Sequence, residues 1–216
     1  IKDENGMTAL MGASGNNNLE IVKLLTQNGA YIDEKDNEGF TALNIASKKG
    51  NIETVKFLVD NGADINAEDN NGNTILMTAA ENDNLELVKY LAENNANIDI
   101  GNYEGRTALM IATENGNLEL VKYLADRVEN INAFDKDGYT ALKEASNKGN
   151  LETVKLLADN GADIDGEYGE TSLMIASENG DLELVQYLVE NEANINAEDD
   201  NGWTALMKAL ANKHFE

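Results

Sequence analysis

Threonine returns at positions 8, 41, 74, 107, 140, 171 and 204, a spacing of 33 residues broken by a single step of 31. Two residues before each threonine stands a glycine: Gly6, Gly39, Gly72, Gly105, Gly138, Gly169 and Gly202. After it follow an A-L-x-x-A stretch, a polar turn, an x-E-x-V-K-x-L run and an A-x-I segment. A unit this short cannot bury its own apolar face. Neighbouring units must therefore stack and share one elongated core, so the period outranks the usual length prior for compact domains. The expected organisation is a single array over 1–216, with repeats near 3–35, 36–68, 69–101, 102–134, 135–165 and 166–198 and a partial repeat over 199–216.

The second repeat serves as the pattern. Asp36-Asn37-Glu38-Gly39 reads as a turn whose glycine supplies a positive φ. Thr41 suits an N-cap, and Leu43, Ile45 and Ala46 give a short helix a small inner face. Gly50-Asn51 interrupts the chain, and Asn51 is read as the cap of a second helix whose buried stripe is Ile52, Val55 and Leu58. Asn61-Gly62 closes that helix through a left-handed residue. Each repeat thus becomes a hairpin-like finger and two antiparallel helices. Leu10, Leu43, Leu76, Leu109, Leu142, Leu173 and Leu206 form one inner column. Val22, Val55, Val88, Val121, Val154 and Val185 form a second.

Charge and composition remove several classes of function. Against 16 basic residues stand 40 acidic ones, a net charge of -24 that repels phosphate backbones and anionic lipid. Nucleic acid and membrane surfaces are thus unexpected partners. Without cysteine there is no disulfide framework, thiolate metal site or thiol nucleophile. No apolar run is long enough to span a bilayer, and the first residues lack a signal pattern, so the chain reads as soluble, cytoplasmic or secreted. The serines of the first helices have no histidine nearby, and no phosphate or dinucleotide fingerprint occurs. Acidic clusters such as Glu198-Asp199-Asp200 lack the spacing of a calcium loop. No cofactor, metal or enzymatic activity is expected.

The 33-residue period, the D-x-x-G-x-T turn and the G-N-x-E-x-V-K-x-L second helix together resemble the ankyrin repeat, over essentially the whole chain. The family's T-P-L-H box stands here as TALM at Thr8, Thr107 and Thr204, TALN at Thr41, TILM at Thr74, TALK at Thr140 and TSLM at Thr171. Proline and histidine are gone from it, and methionine fills most of the histidine slots as core filler, interrupted by Asn44 and Lys143. The resemblance implies a mainly α solenoid of helix-turn-helix units and a non-catalytic module that binds another protein through its finger tips and the concave face of the first helices. The positions so implicated are Phe40, Asn73, Tyr103, Arg106, Lys136, Tyr139, Tyr168 and Trp203 on the fingers, and Lys48, Lys49, Glu81, Glu114 and Lys148 on the first helices. Phe40, Tyr103, Tyr139 and Trp203 stand out, because exposed aromatics on polar tips dominate interface energy. The acidic field favours a partner with a basic surface.

Two irregularities break the pattern. Two residues are missing between Asp165 and Gly169, so the finger carrying Glu167 and Tyr168 is expected to be short. At Arg127-Val128-Glu129 the Asn-Gly-Ala helix stop is replaced. A β-branched residue resists the left-handed conformation, so the helix end there must be rebuilt, and Val128→Gly is expected to change stability by about 1 kcal/mol or more. No terminal repeat carries a polar outer face, which makes weak end-to-end association, and with it a spacer or assembly role, the alternative function. An engineered scaffold is the third reading. The two irregularities, which a designer would have regularised, speak against it.

Overall fold

A computed structural model describes residues 1–166 and 169–213. Its architecture is mainly α, and the backbone divides into two compact units, 1–108 and 109–216. The first unit holds α1 (Ala9–Gly15), α2 (Leu19–Gln27), α3 (Ala42–Lys48), α4 (Ile52–Asp60), α5 (Ile75–Glu81) and α6 (Leu85–Glu93). α7 (Ala108–Asn115) begins on the last residue of that unit. The second unit continues with α8 (Leu118–Ala125), α9 (Ala141–Asn147), α10 (Leu151–Asp159), α11 (Ser172–Asn179), α12 (Leu182–Glu190) and α13 (Ala205–Ala211). Within the first unit each odd helix packs on its even partner, and α1, α3 and α5 pack in succession. α9, α11 and α13 do the same within the second.

The caps follow the threonine period. Thr8, Thr41, Thr74, Thr140, Thr171 and Thr204 are N-caps whose hydroxyls accept from the backbone N–H three residues on. This satisfies one of the otherwise unpaired donors of the first turn. Second helices begin on Asn18, Asn84, Asn117, Asn150 and Asp181 in the same way. Asn51 departs from the expectation. It occupies the cap position of α4, yet its side chain makes no capping bond. Instead Nδ2 donates to the Ser14 carbonyl at 2.8 Å and the Gly15 carbonyl at 3.3 Å. The end of α1 has unpaired carbonyls of its own, and Asn51 serves the preceding repeat rather than its own helix.

The inner columns are as the sequence spacing demands, up to the last helices. Leu10, Leu43, Leu76, Leu109, Leu142 and Leu173 are buried, as are Val22, Val55, Val88, Val121 and Val154. Full burial of each such side chain contributes about 1.5–3 kcal/mol. Val185 is only half-buried, and Leu206 keeps 68 % of its surface exposed. No second helix follows α13 among the described residues to cover them. Asn44 and Lys143 sit buried in the methionine column. Asn44 completes a capping box, its Oδ1 accepting from the Thr41 N–H at 3.0 Å and from the Thr41 hydroxyl at 2.6 Å.

Fingers are tight turns with isolated bridging, such as Gly101 opposite Thr107 and Phe134 opposite Thr140. An aspartate fixes five of the turns: Oδ1 of Asp36 accepts from the N–H groups of Glu38 and Phe40, and Asp3, Asp69, Asp135 and Asp199 repeat this bond pair. Asn102 does the same work with an amide oxygen. Successive fingers in the first unit are laced together, Asn37 Nδ2 donating to the Glu4 carbonyl and Asn70 Nδ2 to the Asn37 carbonyl. Gly39 is required twice over. Its φ is +85°, and a Cβ there would stand 2.7 Å from the Asn70 backbone nitrogen.

Helix ends use left-handed residues at Gly29, Gly62, Asn95, Gly161 and Glu192. Val128, in the same slot, is not among the positive-φ residues. α8 stops one residue early on Asp126, and the N–H groups of Arg127 and Val128 both donate to the Leu124 carbonyl. The strained conformation is avoided rather than endured. Gly39→Ala is therefore expected to cost about 1–3 kcal/mol in chemical denaturation, since it meets both strain and a clash. Val128→Gly should destabilise by about 0.5–1 kcal/mol, because an ordinary backbone there gains only unfolded-state freedom from glycine. A rise in stability for Val128→Gly would mean that Val128 is strained after all.

Candidate functional site

In the first unit the finger before α3 and the end of α3 bring Phe40, Lys48 and Lys49 together. Lys48 Nζ stands 4.9 Å from the centre of the half-buried Phe40 ring, a cation over an aromatic face. Lys48 and Lys49 are exposed, while Glu81 occupies the corresponding exposed end of α5. The other finger positions are more deeply committed to structure. Asn73 Nδ2 donates to Asp69 Oδ2 at 3.1 Å, and its Oδ1 accepts from Asn102 Nδ2 at 2.8 Å. Tyr103 is 61 % exposed, but its ring lies where any side chain on Gly72 would have to go, and its N–H donates to the Asn71 carbonyl. It shares the register of Asn37 and Asn70, not that of Phe40, so it packs finger on finger. Arg106 is half-buried beside Thr107.

In the second unit Tyr139 is half-buried, and its phenol is pushed up from the ordinary value by burial first, then by the carboxylates of Glu170, Glu144, Glu178 and Asp135. Three of those carboxylates sit on or beside the inner faces of α9 and α11. Lys208, on α13, reaches into the same region. Its Nζ is 2.6 Å from Glu170 Oε1, 3.2 Å from Glu178 Oε2 and 3.6 Å from Asp199 Oδ2. The hydrogen bond to Glu170 is the main cause that holds its ammonium above the usual lysine range. Asp199 is held below the ordinary carboxylate value, chiefly by the Trp203 N–H. Lys148 is exposed and lies 3.8 Å from Glu144, Trp203 is 42 % exposed, and Glu114 on α7 and Lys136 in the finger before α9 are exposed. Tyr168 lies outside the described residues, as do Glu167 and His214.

The sequence pattern points to Phe40, Lys48, Lys49, Tyr139, Lys148 and Trp203 on these faces but passes over Glu144, Glu170 and Lys208. A signal was present. The slot four residues after each threonine holds Gly12, Ile45, Thr78, Ile111 and Ile175, so Glu144 and Lys208 are the charged exceptions. Glu170 occupies the finger register of Phe40 and Tyr139.

Beneath the second-unit face lies Lys143, 3 % exposed, whose Nζ donates to the Gly138 carbonyl at 3.0 Å. Its Cε stands 2.9 Å from where a Cβ on Gly166 would be. Burial pushes its pKa down, opposed by the charges of Glu170, Asp163 and Asp135.

Stacked helix pairs joined by turn-shaped fingers define a repeat solenoid, a class whose members offer extended surfaces rather than enclosed reaction chambers. The family model described as ankyrin repeats (3 copies) matches residues 1–69, 34–102, 76–168 and 165–216, and the chain belongs to the ankyrin-repeat family. Among solved structures, it is similar to the ankyrin repeat domain of Bcl-3, described as a unique member of the IkappaB protein family. The two are 31 % identical over 95 % of each chain, with a TM-score of 0.84. The comparison with curated proteins finds no match. Ankyrin repeats are in general protein–protein interaction modules, and their fold is typically non-catalytic. No described helix is long and apolar enough to cross a membrane.

Lys143 gives a testable pH signature. Its folded pKa lies below the unfolded value of 10.5, so in the window between the two the unfolded chain binds more protons and stability rises with pH. Lys143→Met should abolish that component. Thermal unfolding of both proteins from neutral pH upward should show the variant's relative advantage shrinking as pH approaches the ordinary lysine range. A constant difference would show that burial does not govern this amine.

Proposed function

We propose that the chain is a non-catalytic adaptor or effector module that binds a partner protein through its finger tips and the inner faces of its first helices. One observation carries this reading: the finger cores and helix ends are consumed by bonds within and between repeats, and Phe40, Lys48 and Lys49 in one unit and Tyr139, Lys148 and Trp203 in the other join those ladders through their backbones, which leaves their side chains outside them. Aromatic rings beside charged groups on rigid elements are the groups from which binding hot spots are built. That 1–216 is a single array of repeats belongs to the same proposal.

A spacer or assembly role has its own support in exposed apolar side chains, Leu24 and Tyr31 in the first unit and Leu206 and Leu210 in the second. Sedimentation across a range of protein concentrations separates the two readings, since assembly makes the apparent mass grow with concentration.

Affinity capture tests the main reading. A Phe40→Ala, Lys48→Ala, Lys49→Ala variant and a Tyr139→Ala, Trp203→Ala variant, each shown folded by circular dichroism, are compared with the parent chain. At least one should lose a partner that the parent retains, with binding weakened about tenfold or more. Equal recovery by all three baits would sink the reading.

A further inference from the structure

We propose that the inner face of the second unit, formed by α9, α11 and α13, docks a basic segment of the partner protein, with a lysine or arginine side chain seated against Trp203 between Glu178 and Asp199. This deepens the protein-binding reading and rests on it.

The argument begins with Lys208. Its ammonium is gathered by carboxylates from three separate places: Glu170 before α11, Glu178 within α11 and Asp199 in the finger before α13. The face has thus been shaped around a primary ammonium, and the chain supplies one of its own. One cation does not neutralise it. Asp135, Glu144, Glu170, Glu178 and Asp199 stand against Lys143, Lys148 and Lys208, which leaves the face acidic within a chain whose net charge is -24.

Shape points the same way. A cleft of about 260 Å³ opens beside the cluster, with Glu178, Asp199, Trp203 and Lys208 in its wall. Glu178 keeps 44 % of its side-chain surface exposed while it contacts Lys208. An indole beside carboxylates offers a cation both the attraction of the ring face and charge-assisted hydrogen bonds. A planar guanidinium uses both at once. The long-range field of the chain draws such a segment in, and an acidic or phosphorylated segment is turned away. The partner's cation meets Lys208 as a competitor for the same oxygens.

Trp203 is the chain's sole tryptophan, so the site carries its own reporter. The test titrates the intact chain with a short peptide of alternating arginine and serine, and with the same peptide carrying glutamine for arginine, while Trp203 emission is followed. The arginine peptide should bind saturably and the glutamine peptide should not. Glu178→Gln with Asp199→Asn should weaken binding about tenfold, whereas Glu20→Gln with Glu53→Gln, which removes as many charges from outer helices of the first unit, should weaken it less than about twofold. Asparagine keeps the finger turn, as Asn102 does in its own repeat. If that variant is nonetheless unfolded by circular dichroism, Glu178→Gln alone carries the comparison. Lys208→Met should tighten binding several-fold by releasing the carboxylates.

Equal weakening by the two double variants would overturn the proposal in favour of diffuse attraction, and so would saturable binding that Lys208→Met weakens. A partner captured from lysate, lost on Tyr139→Ala with Trp203→Ala yet retained by Glu178→Gln with Asp199→Asn, would leave the binding module standing and overturn the basic segment.

Discussion

Everything in this molecule depends on one repeat covering what its neighbour leaves open. A first helix of seven or eight residues is too short to be stable in water, and its alanine column, Ala13, Ala46, Ala79, Ala112, Ala145 and Ala176, has too little side chain to make a core alone. Small residues instead let helix axes approach closely, and the valines of the second helices then become inaccessible to solvent. At α13, which no second helix follows among the described residues, the same sequence pattern yields an exposed leucine and an exposed methionine. Burial is a property of the neighbour as much as of the residue.

That dependence explains how the polar groups are used. Every helix is short, so its unpaired backbone donors and acceptors are a large fraction of the whole. The chain meets this with threonine and asparagine caps, with asparagine side chains that fold back onto carbonyls four residues earlier, as at Asn28, Asn61 and Asn94, and with Asn51 reaching across to the preceding repeat. Its asparagine-rich, proline-free composition is thereby put to use. Proline could preorganise a first turn but donates nothing, whereas each asparagine both donates and accepts.

The period, the caps, the turn glycines and the inner columns were legible in the sequence because each is enforced at the same offset in every repeat. What was not legible is what depends on geometry between repeats. Asn51 looks like any other second-helix cap, and only the position of α1 diverts its side chain. Tyr103 looks like one more tip aromatic, and only the close approach of Gly72 shows that it packs. The carboxylates around Lys208 come from positions 170, 178 and 199, of which only Asp199 belongs to the repeated turn motif, and they converge because three segments meet. Val128 falls between these cases: the conflict was visible in the residue type, while its resolution, a helix ended one residue early, belonged to the backbone.

The aspartate-anchored turn has a consequence for how such a surface can change. Because Oδ1 of the turn aspartate accepts from backbone N–H groups and glycine supplies the bend, the turn itself asks only for the backbone N–H of the residue just before the capping threonine, although the Asn73 side chain also bonds to Asp69 and Asn102. That slot holds Met7, Phe40, Asn73, Arg106, Tyr139, Glu170 and Trp203, an apolar, an aromatic, an amide, a cationic, a phenolic, an anionic and an indole group in turn. The finger behaves as a typeface with a constant body and interchangeable letters. The chemistry displayed at the finger tip can therefore change one character at a time while the turn beneath it stays the same.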